Sequence, residues 1–315
     1  MTPIDEAVAL LRAGELIGLP TETVYGLAAD AENPSAVRKI FSLKGRPADH
    51  PVIIHLADSA RLVDWATDIS DQAWQLAAAF WPGPMTLVLP KQPWVDGAIT
   101  GGQQTVAIRV PRHPVAQQIL GRFGGAVVAP SANRFGHVSP TQAQHVRDEF
   151  GADLPLVVEG GDCEVGLEST IINLVGSPEL LRPGSIGLEQ IEVLLAKPVS
   201  YSNRMGQRAP GLLDKHYSPV TPAWLVASTE IEGKSLAMRD DGKRVGLLTL
   251  RSYVDAAEVV ELLSEDPGEY GRHLYSALRR LDAANLDLIL IEKPPEAPRW
   301  LAVNDRINRA TQLPD

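Results

Sequence analysis

Thr105-Val-Ala-Ile-Arg-Val-Pro111 is the stretch that sets the fold class. Side chains along a strand alternate between its two faces, so Val106, Ile108 and Val110 share one face while Thr105, Ala107 and Arg109 share the other. Arg109 must then be paired or solvated. On the second face of a strand flanked by helical segments it needs an anion, either a protein carboxylate or a ligand carboxylate or phosphate.

On either side of it, apolar β-branched runs alternate with helix-period segments through the first 195 residues. Strands are predicted at 15–19, 52–56, 86–90, 105–110, 126–129, 155–159 and 169–175, a mixed α/β layout. Helix starts are marked by Asn33-Pro34 ahead of Val37, Ile40 and Phe41, and by Ser139-Pro140 ahead of Ala143, Val146 and Phe150. From about Lys197 to Pro222 the periodicity stops in a stretch rich in Pro, Gly, Ser and Asn, which reads as a linker. Beyond it, RVGLLTL and LDLILIE read as buried strands, and segments near 254–263, 270–284 and 299–310 read as helices. The expected domains are therefore 1–196, a linker at 197–222, and a smaller α/β domain at 223–315.

Composition bounds the function. The 315 residues suffice for two domains, and 44% hydrophobic with 22% charged residues is ordinary for a folded globular protein. The single cysteine, Cys163, excludes an internal disulfide and a Cys-rich zinc site, and it fits a reducing compartment. The start, MTPIDEAVALLRAGE, mixes acids with apolar residues and does not read as a signal peptide, and no window approaches a membrane span. A cytoplasmic location is expected. The formal net charge of -10 argues against tight nucleic-acid binding, which wants a basic face.

Several clusters could carry chemistry. Thr21-Glu22-Thr23-Val24-Tyr25 follows a strand end, where open α/β folds place ligands; alternatively it starts a helix, with Thr21 as cap and Glu22 favouring the dipole. Lys44-Gly45-Arg46-Pro47 offers a point charge and a bidentate fork suited to phosphate oxygens, with His50 just beyond. His55 ends an apolar strand, where a satisfied core histidine is the plainer role. Ala129-Pro-Ser131-Ala-Asn133 follows another strand, and Ser139 is expected to open the next helix, so hydroxyl, amide and helix-terminal N–H groups could meet an anion. Ser131 lacks the glycines of a nucleophile elbow. Gly233-Lys234-Ser235 resembles the end of a P-loop, but Ser228 stands where the first glycine is required. No His or Cys spacing suggests a protein-built metal site.

In order, PTETVYGL, KGRP with a following strand histidine, WPGPMTLVLP, TVAIRVPRHP, PSANRFGHVSPT, GLESTIINL and LRPGSI resemble the threonylcarbamoyl-AMP synthase family, also called YrdC-like, over about residues 5–195. APGLLDKHYSP and PRWLAVNDRINRA resemble its longer, two-domain form, in which the linker at 197–222 would fold back over the active-site cavity. The resemblance implies a YrdC-like twisted mixed sheet with helices around a large cavity, plus a Rossmann-like α/β domain. It implies a nucleotidyltransferase that makes threonylcarbamoyl-AMP from L-threonine, bicarbonate and ATP, with Mg2+ carried on the ATP. A separate transferase would then modify tRNA. Thr21, His55, Arg109, Ala129 and Ser169 would hold threonine. Lys44, Arg46, His50, Thr105, Ser131, Asn133, Ser139, Arg182, His216 and Tyr217 would hold ATP, with Lys44 and Arg46 as the catalytic pair. The residues before His216-Tyr217 read Leu212-Leu213-Asp214-Lys215, a departure from the family's usual pattern.

Overall fold

The computed structural model describes residues 2–201, 217–253 and 256–311. The chain forms two compact units, Met1–Phe135 with Pro140–Leu212, and Gly136–Ser139 with Leu213–Asp315.

In the first unit the described strands are β1 (Ile17–Leu19), β2 (Gly26–Asp30), β3 (Ile53–His55), β4 (Met85–Pro90), β5 (Thr105–Arg109), β6 (Val127–Val128), β7 (Thr170–Asn173), β8 (Glu179–Arg182) and β9 (Ser200–Tyr201). They form one mixed sheet in the order β1-β2-β6-β3-β5-β4-β7-β8-β9. From β1 to β3 the neighbours are antiparallel, and from β3 to β9 parallel pairs (β3 with β5, β4 with β7, β8 with β9) alternate with antiparallel ones; the parallel pairs demand crossovers and explain the helices between strands. The helices Pro3–Arg12 and Pro114–Phe123 bury Ala7, Val8, Leu11, Ala116, Ile119 and Leu120 against Ile17, Leu19, Ala28 and Val127. Elsewhere β3, β4, β5, β7 and β8 gather Ile53, Val88, Ala107, Ile171 and Leu181 into an apolar floor.

That floor fixes where polar groups of the same strands lie. With side chains alternating, Ile53 shares its face with His55, Ala107 with Thr105 and Arg109, and Val88 with Thr86. The register sets His55 beside Arg109.

The helix Pro34–Lys44 begins as its sequence predicts: Asn33 accepts from the N–H groups of Ser35 (3.0 Å) and Ala36 (3.2 Å), with Pro34 at the first helical position. It stops at Gly45, whose φ of 64° is left-handed, and so leaves Lys44 as its last residue.

The second unit carries β10 (Ala223–Val226), β11 (Val245–Thr249), β12 (Val259–Leu262) and β13 (Leu288–Glu292) in a parallel sheet of order β10-β13-β11-β12. The helices Ile231–Asp240, Pro267–Ala283 and Leu301–Ala310 complete it.

Four sequence expectations need correction. Residues 155–159 make only one bridge, Val157 to Gly18. Ser139-Pro140 opens no helix: the helix runs Ala143–Phe150, because the carbonyls of Pro140 and Thr141 accept from Tyr25 N and Cys163 N across the chain. Val259–Leu262 is a strand where helical period was expected, since paired β-branched residues beside β11 gain a ladder there. Residues 21–25 form no helix either. No helix among the described residues is long and apolar enough to cross a membrane.

Candidate active site

Arg109, at the end of β5, is 3% exposed. Its Nε donates to Gly83 O (3.1 Å) and its Nη1 to Thr23 Oγ1 (2.8 Å). Nη2 lies 2.7 Å from Glu22 Oε1, an ion pair that is not aligned as a hydrogen bond. Of the two anions the sequence allowed for Arg109, the fold supplies a protein carboxylate. Glu22 is equally buried, and its other oxygen accepts from Arg112 N at 3.0 Å. Burial works to raise the Glu22 pKa, but the Arg109 charge, helped by the Arg112 main-chain N–H, outweighs it, leaving the carboxyl below its ordinary range.

The hydroxyls here run in one direction. Thr21 Oγ1 donates to Val24 O (2.6 Å), so at the 2.8 Å contact Thr23 donates to Thr21 while accepting from Arg109. Thr21 Oγ1 also accepts from Thr23 N (3.2 Å) and Val24 N (3.3 Å). It therefore caps a turn through its own backbone rather than a helix.

His55 is 2% exposed, with Nδ1 3.2 Å from Ile53 O. Burial, reinforced by the Arg109 charge, pushes its pKa from 6.5 down to about 3. The unfolded chain then binds more protons than the folded one within that window, so stability falls as pH falls from 6.5 toward 3. Glu22, with its lowered pKa, adds loss in the same direction at the acid end. Urea midpoints should therefore decline steadily below about pH 6.5, and His55→Asn should flatten the upper part of that decline. A His55→Asn profile parallel to wild type would contradict the buried neutral imidazole.

Lys44 is 4% exposed and donates through Nζ to Ser131 O (2.6 Å) and to Asn133 O. Burial, with the Arg46 charge adding to it, holds its pKa well below the ordinary lysine value. The turn it braces is tied elsewhere too, by Leu27 N to Pro130 O, Ala132 N to Tyr25 O and Phe135 N to Lys44 O. Arg46 donates to Pro51 O (2.8 Å), and the His50 ring sits 5.8 Å from that of Phe135. Ala129 donates its N–H to Ile53 O and borders Gly26, where an added Cβ would meet Ala129 Cβ at 3.0 Å.

Arg182, at the end of β8, closes on Ser169: Nε donates to Ser169 O and Nη2 to Ser169 Oγ, both at 3.0 Å. Ser169 Oγ lies 2.7 Å from Thr86 Oγ1.

The structure thus brings eight of the candidates of the first unit into three groups. Thr21, Arg109 and His55 form one with Glu22, Lys44 with Ser131 and Asn133 another, and Ser169 with Arg182 and Thr86 the third. Thr105 opens β5, four residues along the same face from Arg109. Ser139 and Tyr217 belong to the second unit, where Tyr217 is buried with its ring 5.7 Å from that of Tyr275 and 5.4 Å from the Arg306 guanidinium. His216 lies outside the described residues.

Residues 9–184 match a family model described as "Telomere recombination" (Sua5, YciO and YrdC), and residues 186–312 match the threonylcarbamoyl-AMP synthase C-terminal domain. The chain is 40% identical to threonylcarbamoyl-AMP synthase of Pyrococcus abyssi, over 97% of this chain and 93% of that one. The chain belongs to the threonylcarbamoyl-AMP synthase family. Its Bacillus subtilis relative is 37% identical over 98% of this chain and 92% of its own. A solved structure of P. abyssi Sua5 complexed with L-threonine matches with a TM-score of 0.93 and 38% identity, covering 98% of this chain and 94% of that one. These are nucleotidyltransferase-type enzymes, and the YrdC-like mixed sheet with a second α/β domain is the family fold.

Within this family member, sequence reasoning missed Thr86 and left Glu22 open between a strand-end ligand cluster and a helix dipole. Thr86 interrupts the apolar run Met85–Pro90 on the floor side, and a lone hydroxyl there was its only signal. The partnership of Glu22 with Arg109 spans 87 positions, and no local pattern carries it.

Proposed function

We propose that this chain makes threonylcarbamoyl-AMP from L-threonine, bicarbonate and ATP, releasing pyrophosphate, to supply tRNA N6-threonylcarbamoyladenosine modification through a separate transferase in the cytoplasm. The observation that carries the reading is a buried guanidinium, Arg109, beside His55 and at one end of the apolar floor. An amino-acid carboxylate needs such a cation, and a floor of Ile53, Val88, Ala107, Ile171 and Leu181 suits a small apolar group.

In this mechanism threonine's amine and bicarbonate condense with loss of water to the N-carboxy carbamate. A carbamate oxygen attacks the α-phosphorus, the bond from that phosphorus to the β-phosphate oxygen breaks, and pyrophosphate leaves. No protein nucleophile is required. The side chains align reactants and neutralise charge, effects worth roughly 7 to 11 and about 2.7 to 4 kcal/mol respectively. Lys44, Arg46 and Arg182 face the phosphates, while Arg109 takes the threonine carboxylate with Thr21, His55, Ser169 and the backbone near Ala129. Two N–H groups of a Lys44 ammonium lie on carbonyls, and the third remains for a phosphate oxygen. Mg2+ enters with ATP as part of that substrate, bound by phosphate and water oxygens. Among the described residues no group of three or more His, Cys, Asp or Glu is placed to hold a metal.

Omitting each component in turn from an assay of pyrophosphate release tests the assignment. Release should require threonine, bicarbonate, ATP and Mg2+ together; release that persists without threonine or bicarbonate would overturn it.

A further inference from the structure

We propose that Thr86 is a positioning residue that presets the Ser169 hydroxyl as a hydrogen-bond donor to an anionic oxygen of the amino-acid substrate. This rests on the reading of the Arg109 and Ser169 region as the threonine subsite.

Arg182 has only N–H groups to offer, so at its 3.0 Å contact Ser169 Oγ must accept. Between Thr86 Oγ1 and Ser169 Oγ, 2.7 Å apart, either proton could in principle lie on the line. The subsite decides which. Thr86 and Ser169 are equally buried, at 0% and 1% exposed, and Ser169 is the sole side-chain hydrogen-bond partner of Thr86 among the described residues. If Ser169 donated, its proton would be spent on Thr86, and the Thr86 proton would lack an acceptor with or without substrate; if Thr86 donates, the Ser169 proton stays available to a substrate oxygen at the threonine subsite. Substrate binding therefore selects the arrangement in which Thr86 donates. Ser169 Oγ then accepts twice, from Thr86 and from Arg182, and both its lone pairs are occupied.

Its own proton consequently needs a third group, and among the described residues no acceptor for it is present. A ligand oxygen fits. The Arg182 charge polarises the hydroxyl and strengthens it as a donor. With its lone pairs filled, Ser169 cannot receive a proton from threonine's amino group. The oxygen it meets is a carboxylate or carbamate oxygen, and the specificity is for an anionic acceptor rather than for an ammonium.

The test is Thr86→Val, which keeps shape and removes the hydroxyl, with Thr86→Ser as the conservative control. Steady-state pyrophosphate release should show the KM for threonine raised about fivefold to tenfold in Thr86→Val, with the KM for ATP and the melting temperature unchanged and wild-type kinetics returned by Thr86→Ser. Threonine kinetics unchanged in Thr86→Val would overturn the inference, as would a Thr86→Ser variant no better than Thr86→Val, or equal losses for threonine and ATP. A wild-type enzyme whose release ignores threonine would overturn the substrate reading and this inference with it. An active wild type with an indifferent Thr86→Val overturns the inference alone.

Discussion

Arg109→Ala should reduce threonine-dependent pyrophosphate release by about a hundredfold or more, chiefly through the KM for threonine. The substitution removes the charge proposed to meet the substrate carboxylate, together with the bonds to Thr23 and Gly83. It also leaves the Glu22 carboxylate buried without its cation, a loss on the order of 3 to 5 kcal/mol when one member of a buried pair is deleted. Activity and stability thus fall together, and a second substitution separates them. Adding Glu22→Gln removes the orphaned charge, so the double variant should recover part of the melting temperature and none of the threonine dependence. If the double variant regained threonine turnover, Arg109 would be acting only as the counter-ion of Glu22.

Lys44→Met should lower turnover by about a hundredfold to a thousandfold, the loss typical of one charge-donating group aimed at a transition state. Met keeps the apolar stem along the helix end and removes Nζ, so the carbonyls of Ser131 and Asn133 lose a shared donor. The turn itself persists through its main-chain bonds to Tyr25, Leu27 and Lys44, so circular dichroism should be near wild type. Phosphates arriving beside a lysine whose pKa burial has lowered would favour its charged form, which ties ATP affinity to proton uptake. Calorimetry of ATP binding in buffers of different ionisation enthalpy should show that uptake in wild type and lose it in Lys44→Met. Full turnover in Lys44→Met would remove this side chain from the phosphate set.

The legible and illegible parts of the fold divide along physical lines. Strands with β-branched alternation, such as β5, and the capped start of Pro34–Lys44 stand out because propensity and packing agree there. By contrast β2, Gly26-Leu-Ala-Ala-Asp30, has no β-branched residue, and β8, Glu179-Leu-Leu-Arg182, reads as well for a helix; both are strands because their neighbours pair with them. Ser139-Pro140 carries a helix-start signature that loses to long-range bonds from Tyr25 and Cys163. The candidate site shows the same split. Arg109 announced its need for an anion through alternation alone, whereas which anion, and the closure of Arg182 and Thr86 on Ser169, depend on strands distant in sequence.

One active site that carboxylates threonine's amine and adenylates the product leaves a mass signature. The enzyme incubated with ATP, Mg2+, threonine and carbon-13 bicarbonate should yield threonylcarbamoyl-AMP carrying the label, formed in step with pyrophosphate and absent when threonine is withheld. An adenylate of threonine's own carboxylate, free of label, would rule that chemistry out.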